Sequence, residues 1–533
     1  MYQLRIVNGI LIDGSGKAPV RANLYIDGDR IARISPALYP ARKEIDAAGL
    51  TVAPGFIDIH THSDMSPYCA PGFESYIHQG VTTTISGNCG GSFVPHKPEN
   101  HEKKVRNGAG SRFKGRELPP VSATDTASYL KEVTGICANN NGMLIGHGAL
   151  REMCMADSKA ELPTPEELEA MKALLRRELE AGAFGLSMGL IYVPGVYSKT
   201  EELIELAKVA AEYDAIVPIH MRSEADHVFE AVEEVGRIGR ESGAHVHISH
   251  FKIMSKLHWG KADQLLAQVE ALQREGVKID FDQYPYLASA TPLSSCLPSW
   301  VRKLDHEGQL ALLGDPARYA EAIPGIEADA HYVIGPQNIL VANTCGKATQ
   351  YDGKFLTEVA ADMGTEPIEA YRRLMIMTDI SARGVYFSMN REDALKIARR
   401  TDVSVISDSS AMDMITGEIA GVPHPRTANS FVRFLRINRE EKLMPLETAV
   451  YKMTGLPAAQ MKIPERGLLK EGYFADVTIF DPETVADNGT FMEPCKVATG
   501  IDKVLLNGEL VWADGKPTGA LPGRGIRPVL QKK

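Results

Sequence analysis

Two histidines separated by one residue follow a short apolar run early in the chain. The run spans residues 56–59 (Phe-Ile-Asp-Ile) and predicts a buried strand that begins after a Pro-Gly pair. Alternate side chains on an extended chain point the same way, so His60 and His62 can both reach one cation. The alternative is that one histidine hydrogen-bonds at the strand end while the other is solvated. The pair therefore indicates a metal site only if other ligands lie nearby.

Four further residues that can bind a metal lie at, or just beyond, the ends of other apolar runs. They are Cys89, His220, His250 and Asp408. Thiolate, imidazole and carboxylate are the ligands that zinc takes, and a catalytic zinc ion keeps one position for water. Each residue has an ordinary alternative: a hydrogen-bonded histidine, a small buried thiol, or a helix N-cap at Asp408. Six such residues at strand ends favour a shared zinc site over separate structural roles.

The apolar runs that carry these residues alternate with stretches of helical periodicity. One helix is predicted to start at Thr164-Pro165, because apolar residues follow at helical spacing. Eight β-then-α units predict an α/β fold of the (β/α)8, or TIM-barrel, type, whose active sites lie at the carboxyl ends of the strands. The predicted strands are the run before His60 and residues 81–86, 143–147, 184–188, 215–220, 244–250, 277–283 and 403–408.

Both ends of the chain have a strand-and-turn pattern instead. Asn-Gly pairs at residues 8–9 and 507–508 are hairpin-turn signals between apolar strands. Neither end alone has enough strands to bury a face, so residues 1–54 and 465–533 predict one small discontinuous β-sandwich built from both termini.

The barrel is then expected to span residues 55–464. Residues 287–360, rich in proline, serine and small residues, break the β/α rhythm and predict an insertion after barrel strand 7. The polar, glycine-rich residues 100–125 predict a loop over the site.

Charge and composition limit the partners of the chain. It has 533 residues and a net charge of −10, and no basic stretch could neutralise a run of nucleic-acid phosphates, so a small-molecule substrate is expected. The chain shows no signal-peptide pattern and no membrane-length apolar run, which predicts a cytoplasmic protein with no membrane partner. Seven scattered cysteines predict thiols and no disulfide framework, and the oligomeric state stays open.

Six segments together resemble the N-acyl-D-amino-acid deacylases, or D-aminoacylases, of the amidohydrolase superfamily, and the likeness covers essentially the whole chain. Gly-Asn-Cys-Gly at residues 87–90 is the most specific, because many relatives in the superfamily instead bridge two metals with a carboxylated lysine from strand four. This chain has Ser-Met-Gly at residues 187–189 there. The segments are 54–64 (PGFIDIHTHSD), 87–90 (GNCG), 218–224 (PIHMRSE), 247–252 (HISHFK), 282–286 (DQYPY) and 407–409 (SDS).

The resemblance implies two metal positions. A tight zinc ion would be held by Cys89, His220 and His250. A weaker second site, sharing Cys89, would be formed by His60, His62 and Asp408. Asp408 would also be the catalytic residue that takes the proton of the attacking water and returns it to the departing amine.

The resemblance also implies residues that bind the substrate. Arg383 would bind the α-carboxylate, assisted by Tyr284 and Ser289, while Lys252 and Tyr192 would line the pocket. Arg383 could instead be a surface arginine, and Lys252 could be a plain partner of a metal ligand.

The activity implied is zinc-dependent hydrolysis of N-acyl-D-amino acids, and D over L selectivity rests on the resemblance alone. Residues 287–300, where the family places residues that read the side chain, contain no Arg or Lys. A buried acidic side chain needs a cationic partner, so neutral, apolar side chains are expected. The alternatives are a cyclic-amide hydrolase or dipeptidase of the same superfamily, or a non-enzymatic assembly protein on this scaffold.

Overall fold

Eight parallel strands form a closed barrel in the computed structural model, which describes residues 1–109, 120–417, 419 and 421–532. Strand three is interrupted at Leu144: its first part pairs with strand two and its second part with strand four. The predicted (β/α)8 fold is confirmed. In chain order, barrel strands one to eight are Phe56–Asp58, Val81–Ser86, Asn140–Met143 with Ile145–Gly146, Leu186–Gly189, Ile216–His220, His245–Ile248, Ile279–Gln283 and Val403–Val405.

The barrel closes where strand eight meets strand one. Thr61 and Ser409 form a parallel bridge there. The Asp408 amide donates to the His60 carbonyl at 3.0 Å, and the His62 amide donates to the Ser409 carbonyl at 2.7 Å. The closing hydrogen bonds thus bring Asp408 next to His60 and His62, although His62 and Asp408 are 346 positions apart in the chain.

Helices surround the barrel, and most of them pack a buried face against it. The helix predicted from Thr164-Pro165 begins there, because the Thr164 hydroxyl accepts from the Glu167 amide while the Glu167 carboxylate accepts from the Thr164 amide. The helices around the barrel are Ser66–Cys69, Glu74–Ile77, His101–Ala109, Thr126–Glu132, His147–Cys154, Pro165–Glu180, Thr200–Glu212, Val228–Ser242, Ala262–Arg274, Arg391–Ala398, Arg426–Glu441, Leu446–Met453 and Gly455–Gln460.

A two-sheet β domain combines both ends of the chain, as the turn signals predicted. One sheet has the order Arg30–Ser35, Asn23–Asp27, Tyr2–Val7 and Ala41–Asp46. The other has the order Lys516–Pro517, Glu509–Ala513, Ile501–Leu506, Val477–Phe480, Thr51–Pro54, Ile10–Leu11 and Val20–Arg21. Leu4 and Ile6 of the first sheet and Val477, Ile479 and Leu505 of the second share one buried cluster.

The segment after barrel strand seven forms a separate lobe. Its sheet has the order Ser289–Pro292, Arg383–Tyr386 and Ile339–Asn343, and both pairs of strands are antiparallel. The middle strand lies beyond residue 360, so the lobe extends further along the chain than the expected insertion of 287–360. Its helices are Ser299–Lys303, His306–Gly314, Pro316–Glu327, Leu356–Met363 and Pro367–Met377.

Two further expectations can be compared with the fold. The loop expected over residues 100–125 begins with the helix His101–Ala109, and residues 110–119 lie outside the described part of the chain. The seven cysteines are thiols outside any disulfide bond, as expected. Within the described ranges, every helix is too short or too polar to cross a membrane.

Candidate active site

Three side chains from different barrel strands meet in the geometry of a metal centre. The Cys89 sulfur lies 3.6 Å from Nδ1 of His220 and 3.5 Å from Nε2 of His250. With zinc–sulfur and zinc–nitrogen bonds of about 2.3 and 2.05 Å, a tetrahedral angle separates two such ligand atoms by about 3.6 Å. The distance from the Cys89 sulfur to each of the two histidine nitrogens therefore fits shared coordination of a zinc ion.

The electrostatics of Cys89 also favour a cation at this position. Burial raises the pKa of the Cys89 thiol well above its usual range, and the carboxylates of Asp408 and Glu224 raise this pKa further. A thiolate is stable in such surroundings only beside a positive charge, and a bound metal ion supplies one.

Two of these residues and the nearby Asp408 share an unusual backbone conformation. Cys89, His250 and Asp408 have φ values of +54°, +39° and +51°, in the left-handed region that residues other than glycine rarely adopt. Such strain persists only where the surrounding structure enforces it, and it is concentrated at functional sites. The three residues lie shortly beyond the ends of barrel strands two, six and eight.

A second group of ligands adjoins the first through Cys89. His60 Nε2 lies 3.3 Å from the Cys89 sulfur and 3.7 Å from Oδ1 of Asp408. His62 Nε2 lies 3.1 Å from the same carboxylate oxygen. The structure thus brings together all six residues that the sequence suggested as metal ligands.

Two partners of the ligands complete this side of the site. Glu224 Oε1 lies 2.8 Å from Nδ1 of His250, and it also accepts from the ammonium group of Lys252. Lys252 is therefore ion-paired with Glu224, and it is absent from the wall of the cavity described below. Glu224, four residues after His220, was not predicted as a site residue, although it lies in a segment of family resemblance.

Arg426 is a site residue that sequence reasoning missed. It begins the helix after barrel strand eight, is 5% exposed, and lies 2.8 Å from Oδ2 of Asp408. Burial raises the pKa of Asp408, but the Arg426 charge, followed by His250 and His62, outweighs burial and holds this pKa well below its usual range. The carboxylate is thus ionised and can accept a proton.

A cavity of about 630 Å³ opens in front of these residues. Its wall includes Cys89, Tyr192, Arg383, Asp408 and Arg426. Arg383 is exposed at the start of the central strand of the lobe, so the lobe supplies part of the wall.

Two of the expected substrate residues, Tyr284 and Ser289, do not line this wall. Tyr284 and Ser289 are buried, and the hydroxyl of each has no hydrogen-bond partner in the described part of the chain. Tyr192 does lie on the wall, and its ring centroid is 4.9 Å from that of His220.

Comparison with known proteins shows similarity to one family over most of the chain. A model of the amidohydrolase family matches residues 43–286 and 359–517. The D-aminoacylase of Alcaligenes xylosoxydans xylosoxydans is 34% identical over 98% of this chain and 97% of its own length. The N-acyl-D-glutamate deacylase of the same organism is 36% identical over 98% of this chain and 96% of its own.

A solved structure matches the fold over the same extent. It is N-acyl-D-glutamate deacylase from Bordetella bronchiseptica, complexed with zinc and a phosphonate inhibitor that mimics the tetrahedral intermediate of its reaction. It is 34% identical to this chain, with a TM-score of 0.82, and the match covers 99% of each chain.

Proposed function

Because the chain belongs to the amidohydrolase family, and within it to the D-aminoacylases or N-acyl-D-amino-acid deacylases, we propose that it hydrolyses the amide bond of N-acyl-D-amino acids. Water adds across the C–N bond, and the products are a carboxylate and a free D-amino acid. The observation that carries the proposal is that Cys89, which contacts His220 and His250, lies on the wall of the same cavity as the ionised Asp408.

The thiol, imidazole and carboxylate side chains of this site are the ligands that zinc prefers. Cys89, His220 and His250 would hold one ion tightly, and His60, His62 and Asp408 would form a weaker second position that shares Cys89. By distance alone, the donors of His60, Cys89, His250 and Asp408 form one group and those of His220, Glu224 and His250 another, so His250 adjoins both. When bound, zinc lowers the pKa of water and polarises the scissile carbonyl. The Glu224 carboxylate fixes the orientation of the His250 ring by binding its other nitrogen.

Asp408 is the residue placed to move the proton. Its Oδ1 faces the histidines and the cavity, while its Oδ2 faces Arg426. As an ionised carboxylate it accepts the proton that water loses on attack, and it donates this proton to the nitrogen of the departing amino acid. The amine then leaves as a neutral group, which is a far better leaving group than an amide anion.

Arg383 is proposed to bind the α-carboxylate of the substrate. Its side chain is exposed on the cavity wall, and the described residues offer it no ion-pair partner. Arginine presents two parallel N–H donors to a carboxylate, which orients as well as attracts it. The lobe after barrel strand seven would therefore hold the amino-acid half of the substrate against the metal ligands.

A cyclic-amide hydrolase or dipeptidase remains the alternative enzyme, since the same metal ligands could act on another amide. The full-length likeness to deacylases of linear substrates favours the first proposal. A parallel assay of N-acetyl-D-leucine, a hydantoin and a dipeptide separates these activities. The retained ligand set argues against a non-enzymatic assembly protein.

We further propose that the preferred side chain is neutral and apolar. Among the described residues that line the cavity, the only lysine or arginine side chains are those of Arg383 and Arg426. Arg426 is paired with Asp408, and Arg383 is needed for the α-carboxylate. Arg302 donates to the Ile191 carbonyl at 2.7 Å and does not reach the wall. An acidic side chain would therefore lose its hydration without gaining a cation.

The side-chain preference is tested by comparing substrates. We expect kcat/KM for N-acetyl-D-leucine to exceed that for N-acetyl-D-glutamate by ~10² or more, because an unpaired desolvated carboxylate costs several kcal/mol. N-acetyl-L-leucine is the control for chirality and is expected to be a poor substrate. A preference for the glutamate substrate would show that a cation reaches the side-chain pocket from another part of the chain.

A further inference from the structure

We propose that the acyl half of the substrate binds in a second cavity beside the metal ligands, and that the lysines of this cavity select acyl groups that end in a carboxylate. This inference rests on the proposed deacylase function, which leaves the acyl group open. The substrate class that follows is the half-amide of a short dicarboxylic acid with a D-amino acid, such as an N-succinyl-D-amino acid.

The second cavity adjoins the first. Its volume is about 770 Å³, and part of its wall is shared with the cavity that contains Arg383 and Asp408. Because His62 is a candidate metal ligand on both walls, the second cavity begins close to where the scissile carbonyl is expected to lie. The shared wall residues are His62, Gly91, Asn107 and Gly108.

The topology of the barrel places the second cavity across from the lobe. Its wall is formed by residues within 62–65, 91–108 and 152–158, which follow barrel strands one, two and three. The lobe follows strand seven, and in a closed eight-stranded barrel strand three lies opposite strand seven. The candidate metal ligands therefore lie between the lobe on one side and the second cavity on the other.

The geometry of an amide directs the two halves of the substrate apart. In the trans form, the α-carbon on the nitrogen and the chain on the carbonyl carbon lie on opposite sides of the C–N bond. With the α-carboxylate bound by Arg383 at the lobe, the acyl chain runs away from the lobe and into the second cavity. This cavity is far larger than an acetyl group, so it has room for a longer acyl chain.

The second cavity carries positive charge that its own wall does not neutralise. Lys97, Lys103 and Lys104 all line it. Lys104 is paired with Glu152 at 2.8 Å. Among the residues that the structure describes, no acid lies within ion-pair distance of Lys97 or Lys103. Two ammonium groups are thus available to an anion that enters the cavity.

The rest of the wall fits the chain that would join the carbonyl to this anion. Met65, Phe93 and Met155 are buried side chains of the wall and offer apolar surface to methylene groups. The remaining acid, Asp64, accepts from the Phe93 amide at 3.0 Å. A short methylene chain with a terminal carboxylate matches both the apolar surface and the lysine charges, whereas an entirely apolar chain leaves the lysines without a partner.

Acyl groups of similar size test this assignment. The release of D-leucine is measured from N-succinyl-D-leucine, from N-succinamoyl-D-leucine, whose terminal carboxamide has the same shape without the charge, and from N-isohexanoyl-D-leucine, whose end is apolar. We expect kcat/KM for the succinyl substrate to be roughly 10-fold higher than for either neutral one, because two partly screened ion pairs form. Raising the salt concentration to ~0.5 M should reduce this ratio.

Variants identify the charges that are responsible. Combining Lys97→Met with Lys103→Met should bring the ratio of kcat/KM between the succinyl and succinamoyl substrates close to one, and the corresponding pair of arginine variants should retain most of it. Neither lysine is buried, so the thermal midpoint should change little. Lys208→Met is the control, because Lys208 lies on the helix Thr200–Glu212 and off the cavity wall. It should leave the ratio unchanged.

Three results would overturn the inference. The first is a wild type that hydrolyses a neutral substrate at least as well as the succinyl one. The second is a double methionine variant that keeps the succinyl preference. The third is a double variant that loses activity equally on all three substrates, because the lysines would then attract the α-carboxylate of any substrate and would not select the acyl group.

N-acetyl-D-leucine separates a failure of this inference from a failure of the proposed function. A wild type that releases D-leucine from the acetyl substrate without a succinyl preference contradicts only the acyl-group assignment. A wild type that hydrolyses none of the four substrates contradicts the deacylase function, and the acyl-group assignment fails with it.

Discussion

A Cys89→Ala variant is expected to lose its tightly bound zinc and to turn over N-acyl-D-amino acids ~10³-fold or more slowly. The Cys89 sulfur lies 3.3, 3.6 and 3.5 Å from a ring nitrogen of His60, His220 and His250, respectively. Its loss removes a negative charge from the metal site, and the several kcal/mol that the metal contributes to the transition state go with it. The fold should survive, because alanine tolerates φ +54° as well as cysteine does.

Metal analysis after dialysis, followed by assay of the same sample, checks this prediction. Cys137→Ala is the matched control, because Cys137 is also a fully buried thiol but belongs to the core near the C-terminal sheet. The control should keep its zinc and its turnover. A full equivalent of zinc with normal activity in Cys89→Ala would show that the metal is held elsewhere.

An Asp408→Asn variant is expected to keep its fold and its zinc but to lose turnover by ~10² or more. An amide has nearly the size of the carboxylate and can still bind a metal weakly, but it cannot accept the proton of the attacking water. The Arg426 charge that holds Asp408 ionised would also face a neutral group. The loss should therefore appear in kcat at matched metal content.

Asp413→Asn provides the control for this change. Asp413 follows the same barrel strand, but its carboxylate accepts from the backbone amides of Gly72 and Glu74 and lies off the cavity wall. Its activity should stay close to that of the wild type. Turnover within a few-fold of wild type for Asp408→Asn would remove Asp408 from the mechanism.

The barrel could be predicted, and the candidate metal ligands could be proposed, because both have local signals in the sequence. A buried strand appears in the sequence as a short apolar run. In a TIM barrel the candidate ligands stand at the ends of such runs, as His60 and His220 do. The fold rule then gathers these strand ends at one face. No contact between strands had to be known in advance.

The residues that were missed lack such a signal. Arg426 begins a helix within a proline-rich segment, and only the packing of that helix brings its charge to Asp408. Glu224 lies on a loop after strand five, where a carboxylate is usually solvated. Its contact with His250 depends on the conformation of that loop. Both contacts depend on tertiary geometry, which residue spacing does not encode.

The end of the lobe was also difficult to place from spacing alone. Helices such as Leu356–Met363 and Pro367–Met377 have the same apolar periodicity as barrel helices. They pack instead on the core of the lobe, which includes Leu293 and Tyr386. The apolar pattern of a helix does not show which of two cores the helix covers. The helices before Arg383–Tyr386 could therefore be read as barrel helices, and this strand was not assigned to the lobe.

The pairing of Thr51–Pro54 with Val477–Phe480 also determines the order in which the protein can be completed. Roughly 400 residues separate the two strands, and a ribosome that adds about 5–20 residues per second needs tens of seconds to make them. During that time the first strands present an open sheet edge, which can pair with other nascent chains. The catalytic barrel is synthesised within this interval, so a chaperone that covers the N-terminal strands would protect the whole enzyme until the last strands arrive.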